Sequence, residues 1–484
     1  MSDKRRFIHA SLTYSVVQVL ALAASLISFP MLTRVLSVAE YGVLGLCNML
    51  LLFGAAFAKL GLQNSIVRFY AHYRREGKLK AFITTMWCGG TAAAAIISVM
   101  LIPVALLIAP ANFKQPFVTV ILVVFGTAVF GVANNFLRGE ERNSENSIIM
   151  VFLRYGGTFG GIALLYWTDI GISGIFYAQL GFLLVLALWY FMEYNKRFCL
   201  STRDFSWDIF REAIAFGSPL IIYEFSSIML AFSDRFLVNK YCGTEQLGIY
   251  TAGYTVSFYI ADIVRQPLKM AVTPIYLRLY AEKGLAEAVC FLQDAIGYVS
   301  LVIFPIFTGC TALKHELMVL LASSKYASAS DVIPWVLGST LLFGCQSVLA
   351  SSFSIFKQTR AIAILSISGA LISIVLNMVF LKGYGIMAAA WSTAIVYILM
   401  TAVMALISYR SVKLSFPVVK IAIYCLCSTI MYLCVVNVPQ HSSIITKILA
   451  GILVYSASVC LLDRKLIADL RTLVRSRRTV EGTS

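Results

Sequence analysis

The sequence predicts an all-α polytopic membrane protein of about 14 transmembrane helices, on three observations. Hydrophobic residues make up 60% of the 484 and charged residues only 13%, far from the mixture of a soluble domain. Apolar runs of about 20 residues, the length a spanning helix needs, recur along the whole chain between short polar breaks. Basic residues gather in alternate breaks, as they do where alternate loops stay on the cytoplasmic side.

In order, the runs place helices at 8–33, 42–66, 81–108, 117–137, 147–167, 170–193, 213–238, 248–272, 289–313, 332–355, 362–381, 386–408, 417–437 and 444–462. The first follows Lys4, Arg5 and Arg6, exceeds a signal peptide's apolar core and lacks a small-residue cleavage site, so it is expected to remain in the mature protein. Between the sixth and seventh, "SWDIFREAIAF" (206–216) reads as an amphipathic interfacial helix with Ser206 as N-cap, within a cytoplasmic linker at 194–212. The longest outside stretch, 314–331, reads as interfacial and poor in reactive groups.

With the N-terminus inside, cytoplasmic segments carry 26 of the 39 Lys and Arg and outside loops carry 7, so both termini are expected in the cytoplasm. This asymmetry accounts for the net charge of +16 without a nucleic-acid partner. "RREGKLK" (74–80) and "RTLVRSRR" (471–478) read as cytoplasmic loop and tail, with anionic lipid headgroups as added partners. The 11 cysteines show no paired spacing outside the spans, and His9, His72, His315 and His441 are scattered, so neither a disulfide framework nor a metal or cofactor site is expected.

An internal repeat organises the helices. "TRVLSVAEYGVLGL" (33–46) aligns with "NKYCGTEQLGIYTA" (239–252) at an offset of 206, which sets Gly42 against Gly248. "DIGISGIFYAQLGFLL" (169–184) resembles "GYGIMAAAWSTAIVYI" (383–398) at an offset of 214, which sets Gly171 against Gly385. The repeat predicts an N-lobe at 1–193 and a C-lobe at 213–408, six helices each, with the last two spans and a basic tail at 409–484. Six is even, so the halves enter the membrane in parallel, as in transporters that bind substrate between two lobes.

The segments "FPMLTRVLSVAEYGVLGL", "FSDRFLVNKYCGTEQLGIYTAGY" and "LNMVFLKGYGIMAAAWSTAIVY", with "FGSPL" (216–220), resemble the Wzx-type polysaccharide flippases of the multidrug/oligosaccharidyl-lipid/polysaccharide (MOP) exporter superfamily. The resemblance implies a MATE-like two-lobe fold in the bacterial inner membrane. It also implies translocation of undecaprenyl-diphosphate-linked oligosaccharide from the cytoplasmic to the periplasmic leaflet, for O-antigen, capsule or exopolysaccharide. Polysaccharide polymerase and chain-length proteins would be partners. In lipid II flippases the added helix pair forms a groove for the lipid tail, and the resemblance extends that role to the last two spans, with packing as the alternative.

A diphosphate headgroup needs cations, and a cation in the bilayer core persists where it lines a cavity or meets a partner. Lys59 and Arg265 stand at the repeat offset of 206, and Arg154 lies at similar depth, so the three are candidates for a diphosphate site. The alternative is snorkelling, because each lies about 10 Å from a helix end. Asp262 and Lys269 share a stripe with Arg265, and Pro267 there predicts a kink or a helix end. Arg154 precedes "GGTFGG" (156–161), which reads as a close-packing face.

Asp234 and Arg235 are adjacent, so on a helix they point about 100° apart and are expected to find separate partners. Glu224 shares a face with Arg235, which reads either as a cavity stripe beside an Asp234 contact between lobes, or as a capped and anchored helix end. Drug antiporters of the superfamily carry acidic coupling residues early in the first lobe. Here the candidates for ion coupling, Glu224, Asp234 and Asp262, all fall in spans 7 and 8, which departs from that pattern. A MATE-like cation-coupled antiporter and a non-transporting scaffold of polysaccharide assembly stay open as alternatives to a flippase.

Overall fold

The computed structural model describes residues 3–355, 359–439 and 442–463. The basic tail at 471–478 and His441 lie outside the described residues, as do the side chains of Lys4, Arg5, Arg6, His9 and Lys269. Fifteen α-helices follow one another among the described residues: α1 (Asp3–Val35), α2 (Val38–Ala58), α3 (Leu62–Arg75), α4 (Leu79–Ile108), α5 (Lys114–Gly139), α6 (Asn143–Trp167), α7 (Ser173–Phe198), α8 (Trp207–Lys283), α9 (Leu285–Ala312), α10 (Lys314–Leu321), α11 (Ile333–Ile355), α12 (Thr359–Tyr384), α13 (Ile386–Val412), α14 (Val418–Asn437) and α15 (Ile444–Leu462). Twelve are long and apolar enough to cross a membrane. One of these is α8, whose 77 residues would reach about 116 Å as a straight rod, several times the roughly 30 Å hydrocarbon core. It breaks at Gly243 (φ 86°, ψ 172°), which separates the expected spans 213–238 and 248–272.

With α1 covering the first run, each of the fourteen expected spans falls in helical structure. The chain is a multi-pass membrane protein. Its outer side chains agree: Leu107 and Trp167 are each 85% exposed and Leu461 75%, a surface that suits lipid and would drive a soluble protein to aggregate.

Two boundaries differ from expectation. Span 42–66 is interrupted, because α2 ends at Ala58 and α3 begins at Leu62. The expected linker 194–212 is mostly helical: 194–198 continue α7, 207–212 open α8, and the join between them holds a single 3₁₀ turn, Thr202–Asp204. Ser206 does serve α8, accepting from the Ile209 backbone N–H (3.5 Å), while its own N–H donates to Thr85 Oγ1 (2.9 Å). Pro267 produces no break, and the helix runs through it with helical backbone angles.

Packing groups the chain into two compact units, Met1–Ala252 with Ala363–Ala389, and Gly253–Ile362 with Ala390–Ser484. In the first, α5 packs against α2, α3, α4 and α7, and its Phe117 and Phe136 are fully buried. Phe136 stacks on Trp87 and touches Phe82 and Tyr194. In the second, α14 and α15 pair and lie on α9. Tyr455 donates to the Leu301 carbonyl (2.7 Å) and Tyr424 to Asp463 (2.8 Å). Lys447 of α15 pairs with Glu316 of α10 (2.7 Å). Burial pushes the Glu316 carboxyl up, but the hydrogen bond and charge of Lys447 outweigh it and hold the group below its ordinary value.

The repeat is visible in the backbone. Gly171 and Gly385 both adopt positive φ (64° and 58°), and each carbonyl accepts from the N–H three residues on, Gly174 and Ala388. The same left-handed turn, which glycine adopts without steric penalty, thus opens α7 and α13. The other aligned pair makes a direct contact. A Cβ on Gly42 would sit 2.2 Å from the Thr244 carbonyl oxygen, and one on Gly248 would sit 1.9 Å from that of Val38. Val38 and Thr244 are themselves 206 apart, so the two contacts are reciprocal, as they are across a two-fold axis.

Candidate functional site

Lys59 stands where α2 stops. Its backbone N–H closes the helix on the Ala55 carbonyl, and the next two residues, Leu60 (φ 47°) and Gly61 (φ 69°), both turn left-handed. Leucine in that conformation costs about 1–2 kcal/mol, so the surrounding packing must enforce it. Part of the enforcement is Gly217 of α8, so close that a Cβ on Gly61 would overlap its backbone (2.3 Å from its oxygen).

This turn delivers Lys59 and Gln63 to the same carboxylate. Gln63 Nε2 donates to Glu224 Oε2 (2.7 Å), and Lys59 Nζ lies 3.7 Å from Glu224 Oε1. Gln63 belongs to the first turn of α3, where the helix dipole favours an anion. The Lys59 and Glu224 side chains are 23% and 31% exposed, so the pair is open to exchange. Phe53 and Phe57 pack on Phe225 beside it. A small cavity, with room for about one water molecule, opens next to Lys59 and Gln63, walled by Ile66, Gly90, Gly131 and Val132.

The other candidates are also engaged. Arg265 Nη2 and Nε donate to Asp262 Oδ1 (2.5 and 3.0 Å), and the guanidinium lies over the rings of Phe258 and Phe343 (5.3 and 5.4 Å). Asp262 therefore pins Arg265 along one helix face, as the i−3 spacing predicts. Arg154 Nη2 donates to Ser25 Oγ of α1 (2.6 Å). The glycines of 156–161 face the other way, with Phe182 against Gly156 and Ile175 against Gly161, which is the close packing expected of that face.

Asp234 and Arg235 correct one expectation. They do pair with each other: Asp234 Oδ1 accepts from the Arg235 backbone N–H (2.8 Å) and lies 3.4 Å from Nη1, which also donates to the Ala231 carbonyl (3.0 Å). The 100° between neighbours separates their Cβ directions, but a long arginine folds back and spans it. Asp234 Oδ2 accepts from Tyr250, beyond the Gly243 break, so α8 itself supplies a partner to Asp234. Glu224, expected to share a face with Arg235, bonds to Lys59 and Gln63. Both Asp234 and Arg235 are 4% exposed, against the partly open Glu224.

A second ionic cluster escaped the sequence. Arg142, before α6, pairs with Glu140 (3.3 Å), Glu145 (2.6 Å) and Glu193 of α7 (2.8 Å), while Tyr70 and Tyr190 donate to Glu140 and Glu145. Burial alone would lower the Arg142 pKa, but its bonds to Glu193, Glu145 and Glu140 outweigh that and raise it. The dense polar run "RGEERNSEN" (138–146) and the Glu193/Arg197 spacing were its signals. Among the described residues no three His, Cys, Asp or Glu converge as a metal site would require.

Residues 31–331 match the family model described as "Polysaccharide biosynthesis protein". The chain belongs to that family. This polysaccharide biosynthesis protein is 19% identical over 287 residues to a "Probable low-salt glycan biosynthesis flippase Agl15" of Haloferax volcanii, a match over 59% of this chain and 60% of that relative. Its fold is that of the MOP superfamily. A structure titled "Lipid II flippase MurJ, inward closed conformation" superposes with a TM-score of 0.74 at 16% identity, over 95% of this chain and 100% of that one. An inward-facing multidrug resistance MATE family transporter of the MOP superfamily gives 0.66 at 15% identity, over 84% and 98%. The polysaccharide biosynthesis protein thus has the fold of transporters.

Proposed function

We propose that the chain is a flippase of glycan biosynthesis, which carries undecaprenyl-diphosphate-linked oligosaccharide from the cytoplasmic to the periplasmic leaflet of a bacterial inner membrane by alternating access. The observation that carries it is the family match over 31–331 on a MOP fold. Two further points support it. The MurJ likeness extends over more of this chain than the MATE likeness, 95% against 84%. Cations also stand at repeat-related positions, each paired with a carboxylate.

In this reading Lys59 and Arg265 receive the diphosphate, with Arg154 and Arg235 adding positive potential. Glu224, Asp234 and Asp262 belong to ion coupling or to contact between the halves 1–193 and 213–408. Both termini lie in the cytoplasm. The polymer is an O-antigen, capsule or exopolysaccharide, and polymerase and chain-length proteins are the partners.

The test is flipping of undecaprenyl-diphosphate oligosaccharide in proteoliposomes, with the Lys59→Ala/Arg265→Ala double variant at matched protein level. Transport by the wild type and at least tenfold slower transport by the double variant is expected, equivalent to about 1.4 kcal/mol of lost interaction. Equal rates would remove the two cations from the site. No wild-type transport of several lipid-linked sugars would favour an antiporter or a scaffold.

A further inference from the structure

We infer that Glu224 is a built-in stand-in for the substrate's phosphate: the diphosphate displaces it from Lys59 and Gln63, and the freed carboxylate takes up a proton. This deepens the flippase reading and rests on it, since it needs an anionic headgroup at Lys59.

The geometry carries the inference. A carboxylate oxygen already occupies each place where a phosphate oxygen would sit, one bonded to Gln63 Nε2 (2.7 Å) and one at 3.7 Å from Lys59 Nζ. The contact to lysine is long for a charge-assisted bond, whereas a tight pair closes to about 2.7–2.9 Å. Lysine is a flexible point charge, so it can exchange one oxygen anion for another without geometric penalty. The pair is part-exposed and borders a small cavity beside Lys59 and Gln63, so a competing anion can reach it from its exposed edge. Asp234 lacks this access, because it is buried and held by three bonds.

The groups that meet the Glu224 carboxylate among the described residues are Lys59 at the end of α2 and Gln63 of α3. Beside this carboxylate Phe53 and Phe57 of α2 pack on the adjoining Phe225, and about two turns earlier in α8 Gly217 meets Gly61. No second cation is in ion-pair contact with it there. Once a phosphate oxygen takes Lys59, Glu224 stands beside an anion and has given up its ion-pair partner among the described residues, and like charge beside a carboxylate favours its neutral form. One proton from water then converts the carboxylate to a neutral acid. Its O–H can donate to the Gln63 carbonyl oxygen once that amide turns over. No bond in the substrate breaks. Binding at Lys59 is thereby linked to uptake of one proton, and release of the diphosphate returns it.

The test is titration calorimetry of the full-length chain in nanodiscs at pH 6.5 with farnesyl diphosphate as probe, in two buffers of different ionisation enthalpy. The wild type should take up about one proton more per diphosphate bound than Glu224→Gln, the difference cancelling the probe's own ionisation at about pH 6. Glu224→Gln should bind up to about tenfold tighter, since the competing anion is gone. In the wild type itself, the infrared difference spectrum on adding the probe should gain a protonated-carboxyl C=O band, a readout that requires no variant to fold. Equal proton uptake by Glu224→Gln, weaker binding by it, or no new carboxyl band would overturn the displacement while leaving the flippase reading in place. A wild type that binds no farnesyl diphosphate, or a Lys59→Ala variant that binds it as well as wild type, would overturn the diphosphate site and the displacement with it.

Discussion

At the scale of residues, the four cations differ in how firmly each is held. Arg235 is committed: it and Asp234 are buried together, and removing one member of a buried pair leaves a charge with no solvent and costs about 3–5 kcal/mol. Asp234→Ala should therefore lower the thermal unfolding midpoint in detergent far more than Asp262→Ala, whose side chain is 18% exposed. Adding Arg235→Met to Asp234→Ala should recover part of the loss. The reverse order of the two single variants would show that burial does not rank these pairs. Much of this was legible in the sequence as residue choice, since Lys59, Glu224, Asp262 and Arg265 all stood out. The pairing did not follow, because partners 165 positions apart, such as Lys59 and Glu224, leave no local spacing to read. The left-handed Leu60 was also silent, for nothing in "KLGLQN" marks a leucine for an unfavourable conformation that packing imposes.

At the scale of elements, hydropathy located the helices but not the point where α2 gives way to α3, because the apolar run continues across the break. Period and composition report what a segment faces, while a break within an apolar run is fixed by close neighbours such as Gly217. Lipid tails are as apolar as the side chains they touch, so helices associate here through close fit. The Gly42/Gly248 contact is the tightest of the fits described. Gly248→Ala should force backbone apart and cost about 1–3 kcal/mol, visible as an earlier unfolding midpoint. Gly181→Ala, on α7 with nothing within 4 Å of the added Cβ, should instead stabilise by about 0.5–1 kcal/mol through helix propensity. Equal effects of the two would mean that contact at Gly248 does not govern packing there.

At the scale of the whole molecule, the alternation of basic loops predicts which ends of the helices face the cytoplasm, and two cysteines make that testable. Cys199 is exposed in the join before α8, on the side expected to be cytoplasmic, and Cys242 precedes the Gly243 break on the opposite side. In intact cells a membrane-impermeant maleimide should modify a variant keeping only Cys242, and should reach one keeping only Cys199 after permeabilisation. The opposite result would invert the topology and the proposed direction of transport.

The reciprocal contact at Gly42 and Gly248 has a further meaning for how such a chain arises. A surface that meets its own counterpart is what a symmetric homodimer presents, and two parallel six-helix proteins joined end to end would inherit it as an internal seam. In a homodimer one mutation alters both sides at once, so glycine there is an all-or-none choice. After fusion the two sides are separate codons, and each glycine is free to change alone.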